Sequence, residues 1–531
     1  MTALTGTGAL LRLALRRDRV MIPAWVVGSA SIALSTASGF RSLYPTTASR
    51  LEFSTTIVHN GTLEALYGPI YEPGSLGGLV AWRALCIIAT LAAVMSVLLV
   101  VRHTRADEEA GRLELVGATA IGRRAPLAAA LLVAAGADLL LGLLIAVTLP
   151  GFGLSGAGAL AMGAAVAATG LVFAGAAAVS AQLMDSSRAA NGLGIGLIVA
   201  AFATRAIGDS GIAGWVSWLS PMGWAERVRP FAGERPMVLL LAVAGFAVLV
   251  LAATLLVSRR DLGAGLVPPR PGPAHAPASL QGPLGLAWRL HRTQLLGWSA
   301  GVAVMGAVGG SVARSVNDFV GSSSQLEDVI RRIGGGRTLV DAYLGTVMGF
   351  FGLAAAAYAV LATLRMRTEQ SAGRVEPLLA TAVSRRRWAW SHLAFTLLGS
   401  AVLLATAGFA IGLGDGLRGG DLGGDLGLVF QAGLAQLPAA WVMGGIALLI
   451  YAAVPRRAVA SWGVFAFFLL LSELGPILRL SGWVTGLSPF AHVARAPGSS
   501  LDLGPVLGLV AAAAVLVAAG LAELRRRDLA V

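Results

Sequence analysis

Apolar runs of roughly 20 residues recur along the whole 531-residue chain, and few folds can accommodate that repetition. A helix of that length crosses a bilayer core of about 30 Å. Only 13% of the residues are charged, against roughly 25% in soluble domains. The alternation over about ten residues that builds a membrane β-barrel is absent. The expected fold is an all-α integral membrane protein, and its 69 Gly suit closely packed helices.

Twelve candidate spans are expected, at about 21–40, 78–101, 126–149, 157–182, 190–207, 237–257, 294–313, 343–364, 389–413, 427–453, 459–475 and 503–523. The fifth and eleventh are short enough to be re-entrant or broken helices instead. With the N-terminus inside, the loops on the cytoplasmic side hold 26 Arg and the outer loops 12, while Arg83 and Arg205 lie in spans. That asymmetry predicts a bacterial cytoplasmic-membrane protein with both termini in the cytoplasm. It also accounts for the net charge of +13 without a nucleic-acid partner. The N-terminus shows no cleavable signal pattern.

All 40 basic residues are Arg. A P-loop needs Lys to reach the nucleotide's β/γ-phosphates, so a chain without Lys holds no Walker-type ATPase site. No cofactor of its own is expected, and any ATP and Mg would sit on partner subunits. The single Cys86 excludes a disulfide framework. The six His (His59, His103, His275, His291, His392, His492) are dispersed in sequence, with no H-E-x-x-H or other metal constellation.

Two polar islands interrupt this apolar chain with nearly the same text. Residues 105–125 read RADEEAGRLELVGATAIGRRA and residues 367–387 read RTEQSAGRVEPLLATAVSRRR, with ten of 21 positions identical. Arg259-Arg260-Asp261-Leu262 closes the first half as Arg526-Arg527-Asp528-Leu529 closes the second, and Leu219-Ser220-Pro221 matches Leu487-Ser488-Pro489. Arg16, Arg19 and Trp25 match Arg289, Arg292 and Trp298. The expectation is two parallel six-span repeats, 1–262 and 284–531, joined by a cytoplasmic Pro/Gly linker at 263–283.

Each island opens acidic, with Asp107, Glu108 and Glu109 in the first copy and Glu369 in the second. Gly111 and Gly373 then permit a sharp turn, and LELVGATA and VEPLLATA can form short amphipathic helices at the membrane surface. Ser384 is placed to cap the ninth span. One copy alone reads as ordinary inside-positive loop charge. Recurrence of the Gly-Arg-x-Glu core favours a pair of docking ridges.

An acidic cluster, Gly-x-x-Glu, an Ala-Thr step and then Ser384-Arg385 after the second span of a six-span unit resembles the coupling loop of type-2 ABC exporter permeases. The duplicated form resembles the fused twelve-span actinobacterial permeases that export polyketide antibiotics, the tetronasin type. The first copy departs from that pattern, with LVGATAIG where the family favours Leu-Leu-x-Thr-Pro-Val-Ser, so the two loops need not be equal. The resemblance implies a permease that is not itself an enzyme and that works with two copies of a separate ABC ATPase subunit. Coupling would fall to Glu108, Glu109, Gly111, Arg112, Glu114 and Thr119, and to Glu369, Gly373, Arg374, Glu376 and Thr381. Arg12, Arg16, Arg17 and Arg19 would lie on an interfacial connecting helix or simply anchor the inner surface.

An export path for hydrophobic or amphipathic compounds should be apolar and adaptable. By the same resemblance it is lined from the second and fifth spans of each half, which nominates Met95, Phe202, Met348, Phe350, Phe351, Trp462, Phe465, Phe467 and Phe468. Asp138 and Gln436 are the polar candidates inside spans. An unpaired charge at the depth of Asp138 costs at least ~2.5–3.5 kcal/mol, so it reads as half of a structural pair, with a substrate or proton role as the other reading. Arg83 and Arg205 read as snorkelling side chains.

The rival class is a proton-coupled transporter of the major-facilitator type, also twelve spans in two parallel halves. Its Gly/Arg loop typically places the acidic residue after the Gly, whereas here the acidic residues come first. A membrane-embedded transferase would need clustered acidic or His residues at one interface, and the sequence shows none.

Overall fold

The computed structural model describes residues 3–58, 61–117, 119–209, 214–261, 263–267, 272, 274–280, 282–321, 337–416, 422–474, 481–493 and 502–527. Among these residues all regular structure is helical. The chain forms two compact units, Met1–Gly272 and Pro273–Val531. The linker expected at 263–283 straddles that division, and part of it lies outside the described residues, as do Asp528 and Leu529.

Ten described helices are long and apolar enough to cross a membrane, from Met21–Leu43 to Leu503–Arg526. This is a multi-pass membrane protein. The other two expected spans have a different form. The seventh lies within the 39-residue helix Pro283–Gly321, and the eleventh coincides with a shorter apolar helix, Ala460–Ser472. The tenth is interrupted between Leu422–Ala435 and Leu437–Ala453. Pro438 explains the break, because it has no N–H to donate and its ring crowds the carbonyl four residues back.

In the first unit, Leu76–Glu109 and Gly156–Leu183 are mostly buried, while Pro236–Arg259 is mostly exposed along its length. Their starts are set by capping: Ser75 Oγ accepts from Gly78 N at 2.8 Å and Ser155 Oγ from Gly158 N at 3.2 Å. Two helices cross where glycine meets glycine, since a Cβ on Gly142 would lie 2.5 Å from the Gly163 carbonyl oxygen. Such contacts replace the hydrophobic drive that lipid removes. Gly142→Val is expected to cost about 1–3 kcal/mol through overpacking, read as a lowered unfolding midpoint in detergent. An unchanged midpoint would show that this crossing tolerates separation.

A hairpin after the fifth span adds a second glycine-dependent contact. Arg229 and Phe231 hold φ of 53° and 61°, a region that costs non-glycine residues of order 1–3 kcal/mol. That backbone drives the Phe231 ring against Gly77 and Gly158, at the first turns of two buried helices. A Cβ on Gly77 would lie 2.5 Å from the Phe231 Cγ, and one on Gly158 would come closer still.

In the second unit, Pro283–Gly321 packs along Arg385–Gly416. A Cβ on Gly306 would lie 3.0 Å from Ala410, and one on Gly310 would overlap the Ile411 carbonyl. Arg387 N donates to Ser384 Oγ at 3.3 Å and so caps the ninth span.

Candidate functional site

The duplicated islands fold alike. In the first, the helix Leu76–His103 ends, Arg105–Glu109 forms one turn, and Gly111 reverses the chain with φ 69° into Arg112–Gly117. In the second, Gly373 has φ 67° and leads into Val375–Leu379. Gly111 N donates to Glu108 O at 3.0 Å and Gly373 N to Gln370 O at 2.9 Å. Only glycine adopts this left-handed turn freely. A charge pair staples each turn: Asp107 accepts from Arg112 Nε at 3.0 Å, and Glu369 from Arg374 Nε at 2.7 Å. The hydrogen bond to Glu369 raises the Arg374 guanidinium above its usual value.

The closing arginine of each unit reaches the same place. Arg260 grips buried Glu108 with both ends of its fork, Nη1 to Oε1 at 2.7 Å and Nη2 to Oε2 at 2.8 Å, while its Nε donates to Gln182 at 2.7 Å. Gly263 N adds a bond to the same carboxylate at 2.5 Å. In the second unit Arg527 Nη2 donates to Gln370 Oε1 at 3.1 Å, and Tyr451 donates to that oxygen at 2.9 Å. Arg123 then donates to the Arg260 carbonyl at 2.5 Å, and Arg385 to the Arg527 carbonyl at 2.7 Å.

These bonds sort the candidate coupling residues. Glu108 is held by Arg260, and Glu109 accepts from both the amide and the hydroxyl of Ser187, capping Ser187–Asp209. Glu369 is held by Arg365 and Arg374. Glu114 and Glu376 are exposed on the two short helices, and no ion pair engages them among the described residues. Thr119 and Thr381 are exposed, and Thr381 donates to the Leu378 carbonyl at 2.7 Å. The Thr7–Arg17 helix is tied to its loop by Arg17 to Asp107 at 2.6 Å, leaving Arg12, Arg16 and Arg19 exposed.

The intramembrane charges are differently placed from the sequence expectation. Asp138 is fully buried and accepts from Ser96 Oγ at 2.6 Å; its Oδ1 faces the backbone of Gly170 without a hydrogen-bond partner. Arg205 does not snorkel. It is fully buried, with Nη1 3.0 Å from Glu226 Oε1 and 3.6 Å from Asp209 Oδ2, and Nη2 donating to the Leu66 carbonyl at 3.0 Å. Burial and neighbouring Asp209 push the Glu226 carboxyl well above the usual carboxylate range, against the pull of Arg205. One guanidinium therefore faces two carboxyl groups. Arg83 lies 4.2 Å over the Tyr67 ring.

The path candidates do not form one surface. Met95 and Met348 are buried in helix packing, and Phe202 lies beneath Arg205 at 4.6 Å. Phe467 is exposed beside Phe468. Phe351, Trp462, Phe465 and Phe490 pack around one core. Phe350 and Gln436 meet across a cavity of about 140 Å³. Sequence reading missed the neutral partners Gln182 and Gln370, for which no motif exists. It also missed His291 and His392, whose ring nitrogens come within 3.0 Å of each other. Their separation of 101 positions hid them.

Residues 8–259 and 280–525 each match the family described as multidrug efflux system permease Rv1217c, C-terminal domain. The chain is also 42% identical over 526 residues to the multidrug efflux system permease protein Rv1217c of Mycobacterium tuberculosis, covering 99% of this chain and 95% of the relative. The chain belongs to this family of efflux permeases. Nothing in either match favours the major-facilitator alternative. In the permease, one matched stretch falls within each of the two units, and each stretch contains one island.

Proposed function

We propose that this permease is the membrane-spanning part of an ATP-driven exporter of hydrophobic and amphipathic compounds, antibiotics among them. Two copies of a separate ABC ATPase subunit would carry ATP and Mg and grip one loop each on the cytoplasmic face. The observation that carries this reading is the shared fold of the two islands, each presenting one exposed glutamate on a short helix behind a stapled glycine turn. Anchored through Arg260 and Arg527 to the final helix of its unit, each loop transmits a push at the short helix to the spans rather than absorbing it. The lack of Lys supports an engine on another polypeptide. The two family-matched stretches support a fused pair of six-span halves, and the multidrug efflux described for the relative supports drug compounds as cargo.

Glu114→Ala combined with Glu376→Ala is expected to lower ATP-driven transport in inverted vesicles by about tenfold, or ~1.4 kcal/mol of coupling, while ATP hydrolysis by the assembled complex continues. Because both side chains are exposed, the unfolding midpoint should not move. Normal transport by the double variant would refute the coupling role. Transport that collapses with a protonophore while ATP remains would refute the energy source.

A further inference from the structure

We propose that the second unit alone carries a pocket for the uncharged aromatic part of a ligand, at a place the first unit has closed with a buried ion cluster. The cavity of about 140 Å³ lies between the eighth, tenth and eleventh expected spans and the Leu-Ser-Pro hairpin. Thr346, Gly349, Phe350, Gln436, Ser472 and Phe490 line it.

The repeat offsets identify the matching place in the first unit. The islands are 262 positions apart, which sets Gly345 against Arg83. Ser220 Oγ donates to the Ala201 carbonyl at 2.7 Å, and Ser488 Oγ to the Phe468 carbonyl at 3.1 Å. Those paired bonds set Ser472 against Arg205 and Phe490 against Met222. In the first unit Arg205 fills its position together with Glu226, and Met222 is fully buried. In the second unit glycine and serine stand at the arginine positions and the space is open.

The lining dictates the ligand. Among the described residues that line it none is ionisable, so a charged group entering it would lose its water without compensation from them. Phe350 and Phe490 offer ring faces; the Gln436 amide and Ser472 hydroxyl offer hydrogen bonds. A void of about 150 Å³ holds benzene, whereas sites enclosing whole drugs run to roughly 300–1,000 Å³. The occupant is therefore an aryl ring bearing a neutral hydrogen-bonding group, one portion of a larger compound. That this compound is the exported cargo rests on the reading above; the pocket does not.

The test irradiates the full-length permease in detergent with azidobenzamide and maps the adducts by peptide mass spectrometry. Adducts should concentrate on peptides carrying Phe350 and Phe490, about tenfold over those carrying Ile88 and Met222. The permanently charged azidophenyl trimethylammonium should label neither pair. Gly349→Leu sends its side chain into open space, since a Cβ there meets nothing within 4 Å, and it should cut the second-unit labelling about tenfold. Gln436→Leu provides an independent arm: it should weaken labelling by azidobenzamide but not by phenyl azide. Equal labelling of both units, labelling undiminished by both variants, or equal labelling by the cation overturns the proposal. Ring binding without transport in vesicles leaves the pocket standing and refutes the export reading.

Discussion

Arg205→Ala is expected to destabilise the first unit by about 3–5 kcal/mol, the cost of removing one partner from a buried ion pair. The guanidinium faces Glu226 and Asp209 at 3.0 and 3.6 Å and is fully buried, so its loss strands both carboxyl groups without their cation in a buried region. There is little room for repair, because a Cβ on neighbouring Gly68 would already lie 2.6 Å from Glu226 Oε1. Arg205→Met with Glu226→Met should recover most of the loss, since apolar replacement of a whole pair is often neutral or better. Thermal unfolding in detergent, followed by Trp fluorescence, reads both. A single variant as stable as the parent would mean that water reaches the cluster.

The second large effect separates the two closing arginines. Arg260→Ala removes a bidentate cation from Glu108, which is only 8% exposed, while buried Arg105 stays 3.2 Å from the same carboxylate; the expected cost is about 3 kcal/mol, the low end for breaking a buried ion pair. Arg527→Ala leaves only neutral acceptors behind, Gln370 and the carbonyls of Tyr451 and Ala452, and the expected cost is about 1–3 kcal/mol, the range for hydrogen bonds to a charged group. Unfolding midpoints of the two variants should therefore differ in that order. Glu108→Gln rewrites the first unit with the residue of the second but takes the carboxylate from buried Arg105, and so should restore only part of the stability lost in Arg260→Ala. Equal losses at the two arginines would show that charge is not what distinguishes the anchors.

The architecture was legible because the bilayer imposes it: apolar runs without backbone alternatives become helices, and ten of the twelve expected spans meet the length and hydropathy of a crossing helix. The turns at Gly111 and Gly373 were legible because only glycine suits them and because they occur twice. Arg205 was misread for a physical reason. Its nearest carboxyl partner beyond its own helix turn, Glu226, lies 21 positions away on a hairpin whose direction no pattern in the spans specifies. Ser96 and Asp138 lie 42 positions apart on different helices, and only their packing shows them bonded. The loop acids show the opposite limit. Sequence grouped Glu108, Glu109 and Glu114 together, yet two serve as internal fastenings and the third faces outward.

The ring of Phe231, seated on Gly77 and Gly158, acts as a peg between two neighbouring posts. With the peg in place, those posts cannot slide lengthwise past each other at that end; they can only pivot about it. Any stroke of the transport cycle that translates one against the other must first lift the hairpin, releasing the left-handed backbone at Arg229 and Phe231. With the peg seated, movement within this half would be hinged at its end and widest at the end carrying the stapled loop.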